Sequence, residues 1–172
     1  MELDEIAVNY YYESLALAQK SLISGITISA VAYLVAISGI GKSSYSIPFI
    51  GIEVESLSYF SISLLCLYFA CGMLCMHGME KADTNWKLVS DADLSARLLQ
   101  TPNILMAKSI SKAFLYGGLF MVGALLSAKI LNLEGWRVSI VGSIVSAPYF
   151  LALRTSAYFK KPSPHKSTDN PN

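Results

Sequence analysis

The sequence predicts an all-α, polytopic membrane protein: four transmembrane helices with a small helical cytoplasmic layer, and cytoplasmic N- and C-termini. Three observations carry this. Four apolar stretches, at 21–40, 57–76, 113–131 and 138–153, interrupt the chain, and the first three run about 19–20 residues with almost no charge. A helix of that length spans roughly 30 Å, the thickness of a bilayer's hydrocarbon core. Apolar residues make up 53% of the 172 positions and charged residues 15%, against about 25% charged in soluble domains; mean hydropathy is +0.48. Finally, Lys and Arg are distributed unevenly. Lys20, Lys81, Lys87, Arg97, Lys108, Lys112, Arg154, Lys160, Lys161 and Lys166 fall on one side of the four spans, leaving only Lys42, Lys129 and Arg137 on the other. Cytoplasmic segments carry the Lys/Arg excess, which places both termini and the loop at 78–112 inside.

In chain order, residues 1–20 lack Gly and Pro and predict a cytoplasmic or interfacial helix, its acidic start suited to the N-terminal dipole. Glu2, Asp4, Glu5 and Glu13 are the opposite of a basic signal-peptide leader, so the first span is expected to stay as an anchor. Residues 21–159 form the membrane domain. Span one carries Gly25, Ser29, Ala32, Ala36 and Gly39 at spacings of four, three, four and three, a face on which a neighbouring backbone can approach closely. Gly118 and Gly123 in span three and Gly142 in span four extend the expectation of tight helix packing. The outer loop around Pro48 and Gly51 reads as a short hairpin or a flap on the membrane, and the second outer loop is a tight turn that makes spans three and four antiparallel neighbours.

In the loop at 78–112, Ser90 predicts an N-cap for a short helix over 91–99, and Thr101-Pro102 predicts a second start running unbroken through Lys112 to Leu131. Span four extends to about 158 past Arg154, whose stem can snorkel; within it, Pro148 removes the bond to the Ile144 carbonyl and makes a possible hinge. The tail at 160–172 has three prolines and no apolar residue, which predicts disorder.

Candidate chemistry is sparse. Cys71, Cys75, Met76 and His77 offer soft ligands, but no second Cys or His group completes a metal shell. Cys66, Cys71 and Cys75 all lie inside span two and read as small apolar residues. No Asp, Glu, Lys or Arg sits mid-span, where ion-coupled transporters place one. The expectation is therefore a non-enzymatic protein with no cofactor or metal. It acts as an oligomeric membrane sensor, effector or pore component, multi-pass in the cell (inner) membrane. The alternatives are a small-molecule or lipid-handling transporter or enzyme subunit, and a scaffold anchoring a soluble partner. Expected partners are the lipid bilayer, a second copy of the chain and a soluble cytoplasmic protein; a net charge of +1 gives no pull on nucleic acid. Tyr10, Tyr11, Tyr12 and Trp86 are the expected partner or self-assembly surface, as large aromatics outside the spans.

Overall fold

The computed structural model describes residues 2–37, 45–46, 53–54, 57–107, 109–157 and 159. Gly39 and the tail at 160–172 lie outside the described residues. Five α-helices run in order α1 (Glu2–Ile37), α2 (Leu57–Leu88), α3 (Ala92–Leu98), α4 (Ser109–Ile130) and α5 (Trp136–Thr155), with a 3-10 turn at Ile104–Met106. Between α1 and α2, strands β1 (Tyr45–Ser46) and β2 (Glu53–Val54) pair antiparallel, Tyr45 opposite Val54, as a short hairpin there would. Four of the helices are long and apolar enough to cross a membrane: Leu3–Ile37, Phe60–Leu88, Ile110–Ile130 and Trp136–Thr155.

α1 has no Gly or Pro before Gly25, so the polar N-terminal segment and the first apolar stretch form one helix of 36 residues, about 54 Å long. α2 also outruns its apolar stretch. It continues about three turns beyond Met76 because the sequence after Gly78 is rich in helix-compatible residues and adds a Lys87–Asp83 pair one turn apart. The segment expected to begin the middle loop is thus helix as far as Leu88. Gly78 has a packing role here: a Cβ would stand 2.9 Å from the Ala18 nitrogen and 2.9 Å from the Ser14 oxygen, so the α1 and α2 backbones nearly touch.

Two further expectations are corrected. Asp91, not Ser90, caps α3; its side chain accepts from the Asp93 and Leu94 amides, while the Ser90 amide donates to Asp4 Oδ1 at 3.0 Å. The long helix from Thr101 to Leu131 does not form either. Asn103 adopts an extended backbone and its side chain accepts from the Leu105 amide, capping only the 3-10 turn. Ala107 is extended again (ψ 162°), so α4 starts afresh at Ser109. Local side-chain capping wins over proline's preference for a helix start.

α4 ends with Asn132 in the left-handed region (φ 50°) and the Leu133 amide on the Ala128 carbonyl, a Schellman closure with Asn in the glycine position. Gly135 (φ 61°) completes the turn into α5. α5 stops at Thr155, short of residue 158, with Ser156 donating back to Ala152 and Leu153. α1 packs along α2, α2 on α5 and α5 on α4, while α1 and α4 meet only lightly.

Candidate functional site

Two groups of buried polar and aromatic side chains organise the molecule. The first lies at the end where α1 and α2 outrun their apolar stretches. Of three consecutive tyrosines, helical geometry turns only Tyr11 inward: it is fully buried, whereas Tyr10 and Tyr12 are exposed at 55% and 45%. The Tyr11 hydroxyl donates to the Leu98 carbonyl at 3.1 Å, and Trp86 Nε1 donates to the Ser95 carbonyl at 3.0 Å, so α1 and α2 each hold α3 by one bond. Phe159, just past α5, presents an edge-on contact to both rings, with centroids 6.4 Å from Tyr11 and 5.6 Å from Trp86. Asn103 Nδ2 reaches the Leu15 carbonyl at 3.5 Å, and Leu98 and Leu105 fill the space beneath. Burial, reinforced by neighbouring Tyr12, pushes the Tyr11 hydroxyl up to about 12.

The four aromatics expected at a partner surface are thus placed differently within the chain. Tyr11 and Trp86 are spent on the chain's own layer; only Tyr10 and Tyr12 face outward.

The second group lies within the apolar bundle. Tyr149 Oη donates to the Tyr68 carbonyl at 2.8 Å, Ser146 Oγ donates to the Leu119 carbonyl at 2.8 Å, and Tyr68 Oη lies 3.3 Å from Ser146 Oγ. Ser146 has only one proton, committed to Leu119, so Tyr68 must be the donor of the shared bond. All three hydroxyl protons are used. The cluster joins α2, α4 and α5 through three committed hydroxyl protons, which makes it a clasp.

Glycines make room for the clasp. A Cβ on Gly25 would fall on the Tyr149 hydroxyl, and one on Gly72 would lie 2.9 Å from the Tyr149 ring and 3.1 Å from Pro148. Gly123 and Gly142 abut each other across α4 and α5, backbone against backbone. Ser29 and Ala32 are buried and Ala36 half-buried. At Gly118, as at Gly117, a Cβ meets nothing within 4 Å inside the chain, so neither glycine packs against another helix of the same chain. Pro148 sits buried inside α5 against Gly72.

Tyr68, Tyr149 and Phe159 are the residues that sequence reasoning missed. A signal existed for the first two: a tyrosine inside an apolar stretch must find a partner for its hydroxyl. Cys66 is exposed, Cys71 half-buried and Cys75 buried, and all are free thiols. Among the described residues no three His, Cys, Asp or Glu side chains gather as a metal site would need. Comparison with known proteins finds no matching family model, no similar curated protein and no similar solved structure.

Proposed function

We propose that this chain is a multi-pass integral membrane protein, non-enzymatic, that works as an oligomeric sensor or effector. In this role the Tyr11–Trp86–Phe159 layer lies on the cytoplasmic side and is mechanically joined to the bundle. The observation that carries it is the continuity of α1 and α2, which pass without a break from the layer into the clasped apolar region. A helix transmits displacement along its axis, so a ligand or partner that shifts the layer displaces the part of the bundle around Gly25 and Tyr149. The outward faces support the membrane: Ile110, Phe114, Met121 and Ile144 are 75%, 78%, 62% and 60% exposed, a density of bare apolar surface that water does not tolerate but lipid does. The Lys/Arg bias supports the orientation.

Two measurements test this. Reporter fusions after Asn172 and at Ser44 should report opposite sides, Asn172 inside; an external Asn172 sinks the orientation. Coupling is tested with Cys75 as sole thiol, after Cys66→Ala and Cys71→Ala. Trp86→Ala should free α3 and also speed alkylation of the buried Cys75 by a membrane-permeant maleimide. An unchanged alkylation rate with α3 demonstrably loosened sinks the transmission.

A further inference from the structure

At the point where α1 passes from its polar segment into its apolar one, a groove of about 380 Å³ opens between α1 and the segment 101–103. Its size falls within the range of small-ligand sites. The lining divides by height. Gln19, Lys20, Thr101 and Asn103 supply a cation, amides and a hydroxyl, while Tyr12 lies towards the layer and Ile23 leads down into the apolar run that starts after Lys20. The Asn103 wall is preset: its amide nitrogen is held by the Leu15 carbonyl and its oxygen by the Leu105 amide.

We infer that this groove binds the headgroup of a phospholipid that carries one phosphodiester charge and neutral hydroxyls, the phosphatidylglycerol class. The site rests on the membrane reading above. The choice of headgroup follows from the lining. Among the described lining residues Lys20 is the one cation, matching a single phosphate charge. Among the described residues no carboxylate lines the groove, so the ammonium of an ethanolamine or choline headgroup meets no counter-charge there. Gln19, Thr101 and Asn103 are instead groups that hydrogen-bond hydroxyls. Ile23 continues the groove along the path an acyl chain takes from such a headgroup. Because α1 and the segment leading to α4 form its two walls, an occupied groove ties the layer to the bundle at their boundary.

The test is native mass spectrometry of the purified full chain in neutral detergent, titrated separately with phosphatidylglycerol, phosphatidylethanolamine and soluble glycerol 3-phosphate. Phosphatidylglycerol should bind preferentially. Lys20→Gln should weaken it about fivefold, the effect of one cation near a lipid surface, and should weaken the residual binding of the ethanolamine lipid, which bears the same phosphate, in parallel. Thr101→Val should weaken it without changing its dependence on salt. Both positions lie at the groove rim, so folding is checked by an unchanged melting temperature. Equal binding of the two lipids, or a Lys20→Gln variant that binds as the parent does, overturns the site. Equal binding of glycerol 3-phosphate overturns the lipid as its occupant. Release of the parent protein from membranes by alkaline carbonate overturns the membrane reading itself, which separates that failure from the others.

Discussion

A single methyl group should have opposite effects at two glycines. At Gly25 it collides with the Tyr149 hydroxyl, so Gly25→Ala is expected to cost roughly 1–3 kcal/mol by overpacking. At Gly118 it enters open space, and alanine's better helix propensity makes Gly118→Ala neutral or stabilising by up to about 1 kcal/mol. Tyr149→Phe loses one buried bond, about 1 kcal/mol, but relieves part of the collision, so the double variant Gly25→Ala/Tyr149→Phe should be more stable than the sum of its parts. Thermal melts in one detergent check all four. Additive effects would show that Tyr149 and Gly25 are not in contact. The sequence singled out Gly25 and Gly118 alike as small residues in apolar runs. It did not distinguish them, because which face of a helix meets a neighbour depends on residues far away in the chain, here Tyr149.

At the scale of elements, the four apolar stretches became four long helices, since a helix pairs its own backbone polar groups within the segment. The boundaries were less legible. α2 continues to Leu88 because α1, α3 and Phe159 give Ala82 and Trp86 something to bury against, a tertiary effect that local composition does not announce. The Thr101-Pro102 start failed because Asn103 found closer partners in Leu105 and Leu15. Trp86→Ala should therefore act on an element beyond its own. It is expected to cost about 3–5 kcal/mol and to raise amide hydrogen exchange across α3 and the 3-10 turn more than across α4. Exchange that rises equally everywhere would mean that the layer is not a separable unit.

For the whole molecule, the clasp imposes an order on assembly. Tyr68 emerges on α2, but the Ser146 that accepts its hydrogen bond follows 78 residues later, on α5. On the membrane reading proposed above, α2 would wait with an orphan hydroxyl in hydrocarbon until the last helix arrives, a transient liability that a quality-control protease can read. Tyr68→Phe should thus change sign with chain length. In the full chain it removes a bond and destabilises; in a nascent fragment ending after residue 100 it removes the orphan and lengthens the fragment's half-life in pulse-chase. A half-life that moves the same way in both chains would mean that Tyr68 is satisfied before α5 is made.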